Sequence, residues 1–320
     1  MVTSALTAAG ADPDAVARDA VASGEVSAVL LGDTRMLALS ENVSAEQDVA
    51  DAVGQLAEEG RLAVVLGSGP HDGPEPVITD AHLLGSGALA RRLEDADPDS
   101  VVTVMGDPDL LGPIGLGAPF RDLVAAVHDR PGLVPVADLR SPAAVRGASG
   151  SPVTELVAGV RQGRLPTVAA DHHEVAVVPA PDDRSLATRV EQLVHDSIPR
   201  VFGVTAEEIA VVTPLRGGAC GTTALAERLE GAAQVRLVHE AQPDRWPAVV
   251  AVYPAQAAGV LSRPLVLTGL TRAGRHVSVA VGQGCEVATA VSQVGHRPRW
   301  TLLPSLLAAM WSSESGTHPA

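Results

Sequence analysis

Short apolar runs, separated by polar and glycine-rich stretches, recur along the first part of the chain. Each run is rich in Val and Leu and is bounded by Gly, Pro or charged residues, which predicts buried strands. These predicted strands are Leu62–Leu66, Pro76–Thr79, Val101–Met105 and Val134–Val136. Helical segments lie between some of them, and this alternation favours an α/β fold built on a parallel sheet.

A second set of apolar runs follows Pro166 and predicts a second sheet. Its predicted strands are Val175–Val178, Ile209–Val212, Val235–Val238, Val249–Val252 and Val277–Val281. Residues 185–198 predict the clearest helix of this part, and the Pro-, Gly- and Ser-rich stretch 141–152 is the best candidate for a hinge. The expected divisions are a first domain at 44–140, a hinge and linker helix at 141–166, and a second domain at 167–320.

The N-terminal segment 1–43 predicts a small separate unit. A helix opens at Asp12-Pro13 and ends at Gly24, and the apolar runs 27–31 and 35–39 flank a Gly-Asp turn, which indicates a hairpin. A helix followed by a hairpin suggests a winged-helix-like shape. The pattern fits two interpretations, a simple capping subdomain and a nucleic-acid-binding wing. Residues 44–60 then predict an amphipathic helix with Ser44 as its N-cap.

Composition narrows the chemistry. The chain has 320 residues, a net charge of −15 and 46% hydrophobic residues. All 23 basic residues are Arg, so any mechanism that requires a lysine is excluded. An acidic chain with 2% aromatic residues lacks the positive grooves and stacking rings of single-strand binders. No apolar run is long enough to span a bilayer, and we expect a cytoplasmic protein.

Cysteine and histidine patterns offer little catalytic chemistry. Two cysteines, Cys220 and Cys285, suggest neither a disulfide framework nor a metal cluster. Cys220 lies in a glycine turn with no base nearby in sequence, which disfavours nucleophilic catalysis. Asp171 and His172-His173 invite a metal hypothesis, but adjacent side chains on a strand point to opposite faces, so a solvated loop is the favoured interpretation.

Several segments together resemble the RecD-type superfamily 1 DNA helicases. An apolar strand ending in Asp80 has the form of a Walker B motif, whose acid holds Mg²⁺. The stretch from Gly106-Asp107-Pro108 to Arg121 is similar to the family's GDPxQLPxVGxG motif, with Leu111 at or beside the position of the polar Gln. Downstream, four segments match in the family's order: 153–166, 198–229, 238–252 and 265–282.

This resemblance implies two RecA-like parallel-sheet domains of the P-loop NTPase fold, the first of them truncated. It implies an ATP-dependent DNA helicase of recombination and repair, with Mg-ATP as its cofactor. Asp80, Asp107 and Arg272 take the family's catalytic positions, and Arg272 matches the arginine that reaches the γ-phosphate. For Asp80 and Asp107 the favoured alternative to Mg²⁺ binding is capping of the following turn. For Arg272 it is an interdomain ion pair.

The phosphate-binding loop departs from the family. A P-loop needs G-x-x-x-x-G-K-[ST], because its Lys contacts the phosphates and its Ser or Thr hydroxyl binds Mg²⁺. The corresponding turn contains Gly67, Gly69 and Gly73 but neither Lys nor the hydroxyl, and Asp72 would repel phosphate. Arg61 lies at the wrong end of the strand. The helix that should follow the loop is missing, since the next strand begins almost at once.

Other departures follow the same line. No Glu stands beside Asp80, so the residue that activates water is missing. Glu240, Pro243 and Arg245 replace Lys, Gly and Glu of another motif. Arg216, beside Gly217-Gly218, could bind a phosphate at a helix N-terminus. Positions with a structural role therefore persist, while positions with a phosphate role are lost.

Three functions compete. The first is a non-catalytic helicase homologue, a pseudoenzyme that serves as a scaffold or regulatory subunit for a protein partner or as a homo-oligomer. The second is residual Mg-ATP binding by a helicase-family ATPase. The third is DNA binding through the N-terminal wing, which charge disfavours because Asp12, Asp14 and Asp19 oppose Arg18 alone.

Overall fold

A computed structural model describes residues 12–31, 33–67, 77–140, 150–166 and 173–313. The chain divides into two compact units. The first contains the described residues up to Pro108, Gly112–Asp138 and those from Pro298 onward. The second contains Asp109–Leu111 and Leu139–Arg297.

The first unit opens with a helix and a hairpin. Helix α1 (Pro13–Ala22) is capped by Asp12, whose carboxylate accepts from the Asp14 N–H at 3.1 Å. Strands β1 (Val26–Leu31) and β2 (Thr34–Leu39) pair antiparallel from Val26–Leu39 to Leu31–Thr34. The predicted hairpin is confirmed, and its apolar side chains alternate between half-buried and exposed.

Helix α2 (Ser40–Glu58) begins four residues before the predicted N-cap, so the prediction of Ser44 as cap is wrong. The hairpin sets the start of the helix. The Ser40 N–H donates to the Glu25 carbonyl at 3.0 Å, and the Ser27 and Ser40 hydroxyls lie 2.8 Å apart. This tie to β1 is non-local, so local capping signals did not reveal it.

A four-stranded parallel sheet forms the centre of the first unit, in the order β4-β5-β3-β6. Its strands are β3 (Leu62–Leu66), β4 (Val77–Ile78), β5 (Val102–Gly106) and β6 (Val136–Asp138). The first three confirm the predicted runs. Strand β6 starts two residues later than expected, because Pro135 has no N–H to give and the ladder begins at Val136, opposite Val64.

Three more helices complete the core of this unit: α3 (Ser86–Glu94), α4 (Pro119–Asp129) and α11 (Leu303–Ser313). Helix α11 contributes Leu303, Leu307 and Trp311, all buried among residues of α2 and α4. The expected second domain ran to residue 320, whereas the structure groups the chain from Pro298 with the first unit. Burial of these three side chains is the physical reason for that difference.

Two buried carboxyl groups hold the C-terminal segment. Glu46 Oε2 accepts the N–H groups of Leu302 (2.5 Å) and Leu303 (3.2 Å) at the start of α11. Asp122 accepts from the Thr301 side chain, with Arg121 and Arg299 nearby. Burial raises the pKa of both carboxyl groups, and their proximity raises that of Glu46 further.

The second unit contains a five-stranded sheet, in the order β7-β11-β10-β8-β9, with every neighbouring pair parallel. Its strands are β7 (Val175–Ala180), β8 (Ile209–Thr213), β9 (Gln234–Leu237), β10 (Trp246–Tyr253) and β11 (Ala273–Gly282). The predicted runs all lie within or next to these strands. Two apolar clusters contain alternate residues of β8 and β10, as expected for a sheet covered on both faces.

The helices of the second unit are α5 (Pro152–Arg161), α6 (Asp183–Gln192), α7 (Ile198–Phe202), α8 (Thr222–Arg228), α9 (Arg263–Leu270) and α10 (Val287–Gln293). The predicted helix 185–198 is confirmed as α6, which continues through a π turn at Leu193–Ser197 into α7. Most of the predicted hinge, residues 141–149, lies outside the described residues.

Replacing Leu307 tests whether the C-terminal helix belongs to the core of the first unit. Leu307→Ala should lower the free energy of unfolding by about 2–5 kcal/mol, since it empties a fully buried position. Ser305→Ala, an exposed neighbour on the same helix, should stay within about 0.5 kcal/mol of the parent. Urea titration measures both, and equal stabilities of the two variants would contradict this packing.

Glu46→Gln tests the buried cap through its pH dependence. A carboxyl group whose pKa is raised on folding contributes stability that is present below its unfolded pKa and lost as pH rises through its folded pKa. The variant should therefore gain stability relative to the parent as pH rises above 4.5, the ordinary pKa of this carboxyl group. Glu58→Gln, exposed on the same helix, is the control. A stability difference that stays constant with pH would contradict the account.

Candidate functional site

The carboxyl ends of three parallel strands meet at one edge of the first sheet. Leu66 of β3 lies opposite Gly106 of β5, and Ile78 of β4 lies opposite Val104 of β5. Gly67, Asp80 and Asp107 follow these strand ends and therefore share this edge. Ligands of open α/β sheets bind beyond the carboxyl ends of the strands, which makes this edge the candidate site.

Glycine is required where β3 ends. Gly67 has φ +139°, a conformation that L side chains rarely adopt, and its N–H donates to the Gly106 carbonyl at 2.7 Å. The predicted glycine-rich turn continues into residues 68–76, which lie outside the described residues. The other two predicted loop glycines, Gly69 and Gly73, lie outside the described residues.

Asp80 occupies a left-handed turn, with φ 50° and ψ 33°, before the single 3₁₀ turn Ala81–Leu83. Its backbone carbonyl accepts from the Leu83 N–H at 2.8 Å, but its side chain makes no capping hydrogen bond. The expectation that this carboxylate caps the following turn is therefore wrong for Asp80. The half-buried carboxylate lies at the sheet edge instead.

His82 is the residue of this edge that sequence reasoning missed. Its ring is buried, and Nδ1 accepts the Asp107 N–H at 3.3 Å, which places the ring proton on Nε2 in the neutral form. A Cβ on Gly106 would lie 2.9 Å from the His82 backbone nitrogen and 3.2 Å from Nδ1. Only glycine therefore permits this approach. The Asp-Ala-His sequence after β4 was the available signal.

Residues Asp109–Leu111 belong to the second unit. Leu110 is buried in that unit's core, and the Leu111 N–H donates to Thr268 Oγ1 at 2.9 Å. Asp109 accepts from Arg140 at 2.9 Å and also pairs with Arg161. The helicase motif that this segment resembles has a polar Gln at or beside the position of Leu111. Apolar side chains occupy this stretch here, and Leu110 serves packing.

Arg272 is enclosed within the second unit. Its guanidinium donates to the Thr268 carbonyl (3.2 Å), the Asp244 carbonyl (3.3 Å) and the Thr271 hydroxyl (3.1 Å), and the residue is only 2% exposed. Its own carbonyl accepts the Trp246 N–H at 3.0 Å. Protein oxygens therefore engage the predicted γ-phosphate arginine from within its own unit.

Arg216 lies at the other edge of the same sheet. It follows the carboxyl end of β8, whereas Arg272 precedes β11, which runs parallel to β8. The structure therefore does not bring these two predicted nucleotide ligands together within the second unit. Arg216 instead forms an ion pair with Glu240, Nη2 to Oε1 at 2.5 Å, between exposed side chains.

The loop beside Arg216 is tightly packed. Gly218 has φ +83°, and a Cβ on Gly221 would lie 2.4 Å from the Arg216 carbonyl oxygen. Helix α8 begins directly afterwards and has seven residues. Glu240 places a carboxylate beside Arg216, which disfavours a phosphate there. The predicted phosphate site at this helix therefore gains no support from the geometry.

The remaining candidates contribute no chemistry to the edge. Burial raises the pKa of Cys220 to about 12, and its thiol donates to the Asp183 carbonyl at 3.0 Å. Asp171 and His172 lie outside the described residues, and the His173 carbonyl contacts the His276 ring at 2.8 Å. Among the described residues, no group of three or more His, Cys, Asp or Glu could hold a metal ion.

No helix in the described part is long and apolar enough to cross a membrane.

No protein-family model matches the chain, and no curated protein matches it. Among solved structures, an arterivirus nonstructural protein 10 helicase is 16% identical over 77% of this chain, with a TM-score of 0.38. The C-terminal domain of a possible DNA helicase from Lactobacillus plantarum WCFS1 is 16% identical over 45% of this chain and 93% of its own, with a TM-score of 0.33.

The PRRSV helicase is 12% identical over 86% of this chain and 65% of its own, with a TM-score of 0.35. This chain spans about half of the arterivirus helicase, 53% of its length. All three are described as helicases. Likenesses at this level do not assign an activity to this chain.

Gly106→Ala tests the close approach that shapes the candidate site. The added Cβ would press on the His82 backbone, so unfolding free energy should fall by about 1–3 kcal/mol. Gly112→Ala is the matched control, because no atom lies within 4 Å of its Cβ position. Urea titration compares the two. If Gly106→Ala is as stable as Gly112→Ala, the edge is not constrained in this way.

Proposed function

We propose that this chain is a helicase-fold protein that no longer hydrolyses ATP and serves as a scaffold or regulatory subunit. One observation carries the proposal. Residues 67–76 are all that join β3 to β4, and they contain no lysine, as the whole sequence contains none. A P-loop needs that lysine to neutralise the phosphates and needs a helix after it.

The remaining charges at the sheet edge favour the same proposal. The carboxylates of Asp80 and Asp107 would both face the phosphates of a nucleoside triphosphate, and no lysine would offset their negative charge. Two carboxylates can hold Mg²⁺ only where other ligands and the phosphates complete its shell. Because no Glu stands beside Asp80, no neighbouring carboxylate can activate water as in the family.

The two arginines of the second unit that were predicted to bind nucleotide offer no replacement. Arg216 already pairs with Glu240, and Arg272 is buried with its donors directed at Thr268, Thr271 and Asp244. Recruiting either residue to a phosphate would break existing contacts. Both therefore fit a structural role better than a catalytic one.

RecD-like ancestry and a link to DNA recombination and repair enter this proposal from the sequence resemblance. A protein partner or a second copy of the chain is the expected contact. Direct DNA binding is disfavoured, because 38 acidic residues oppose 23 basic ones and would repel a phosphate backbone. Residual Mg-ATP binding without hydrolysis is the second candidate, favoured by the retained Asp80 and Asp107 at the sheet edge.

Titration calorimetry with Mg-ATP and Mg-ADP, together with a phosphate-release assay, tests the proposal. We expect no heat beyond dilution and no turnover above that of Asp80→Ala, because the phosphate-binding groups are missing. Turnover abolished by Asp80→Ala would overturn the proposal. Saturable binding of ATP with no turnover would favour the second candidate.

A further inference from the structure

Two cavities in the first unit share Glu46 among their lining residues. One, of about 330 Å³, lies among the hairpin, the start of α2 and the 300–302 segment. The other, of about 610 Å³, lies between α2 and α3. Asn42, Glu46 and Leu116 line both. These sizes fall in the range of small-ligand sites.

The smaller cavity is apolar. Its walls include Leu31, Met36, Val43 and Trp300, with Glu46 as the charged group among its lining residues. Trp300 is 74% exposed, so a large aromatic surface is left in water beside this cavity. Such walls favour an aliphatic chain, because burial of apolar area releases free energy.

The larger cavity is acidic. Four carboxylates, Glu41, Glu46, Asp48 and Glu94, line it against one cation, Arg91. An excess of one sign in a cleft concentrates ligands of the opposite sign. The charge balance therefore selects a cation.

Two buried polar groups converge where the cavities meet. Glu46 is 7% exposed, and Oε2 caps α11 while no described residue donates to Oε1. Ser86 is 5% exposed, lines the acidic cavity, and its hydroxyl has no hydrogen-bond partner among the described residues. Both oxygens border the bare face of Gly117, where a Cβ would lie 2.3 Å from Ser86 Oγ and 3.6 Å from Glu46 Oε1.

We propose that these paired cavities bind a small organic cation that carries an apolar chain. An ammonium group donates to Glu46 Oε1 and Ser86 Oγ, and the chain lies in the apolar cavity beside Trp300. Buried polar groups without partners are rare in proteins, and this ligand would supply a donor for the buried Ser86 hydroxyl. The site is separate from the edge formed by Asp80 and Asp107, so it does not depend on the proposed loss of ATP hydrolysis.

Calorimetric titration of the full chain with hexylammonium tests the site. Hexanol, of equal length but uncharged, and spermidine, a cation without an apolar end, are the comparison probes. Hexylammonium should bind at least about tenfold more tightly than either, because only it satisfies both cavities. Equal binding of hexanol or of spermidine would overturn the proposal, as would no binding of hexylammonium.

Variants assign the binding to the two oxygens. Glu46→Gln and Ser86→Ala should each weaken hexylammonium binding, the former by about tenfold or more because it removes a charge-assisted hydrogen bond. Glu58→Gln, exposed on the same helix and outside both cavities, should bind as the parent does. Circular dichroism confirms folding. Ser86→Ala leaves the cap on α11 intact, so undiminished binding by that variant would overturn the proposal even if Glu46→Gln fails to fold.

Discussion

The approach of Gly106 to His82 is the constraint on which the candidate edge depends. Because Gly106 has no Cβ, the end of β5 can lie against the turn after β4, and the Asp107 N–H can reach the His82 ring. The Gly106 carbonyl then accepts the Gly67 N–H, which ties β3 to the same edge. A strand-end geometry suited to ligand binding is therefore held by backbone groups together with the His82 ring. None of these contacts requires a nucleotide.

The first unit has a continuous apolar core, although only residues 67–76 connect β3 to β4. Helix α11 supplies Leu303, Leu307 and Trp311 to the core, and Glu46 holds the start of that helix through two backbone N–H groups. The second unit also contains polar contacts between distant parts of its chain. Thr268 Oγ1 accepts the Leu111 N–H, and the Thr268 carbonyl accepts from Arg272. In both units, therefore, these polar side chains are engaged in hydrogen bonds within the protein.

Local patterns predicted the strands well and the non-local contacts poorly. Leu62–Leu66 and Ile209–Val212 are buried on both faces, so continuous apolar runs revealed them. The start of α2 depends on a bond to Glu25, and the return of the chain at Pro298 depends on side chains over two hundred positions away from their partners, as in Glu46 to Leu302. Contacts between residues so far apart in the chain cannot be inferred from the spacing of residues in the sequence. For the same reason, Asp80 and Asp107 could be placed at one strand-end edge, but the role of His82 could not.

We propose that the sheet edge around Gly67, Asp80 and Asp107 does not bind nucleotide phosphates. Amide hydrogen exchange at these residues, measured with and without saturating Mg-ATP, tests it most directly, because a bound phosphate would engage or cover these backbone groups. We expect identical exchange in the two samples. Slower exchange at Gly67 and Asp107 with Mg-ATP, absent with the adenosine nucleoside, would contradict it.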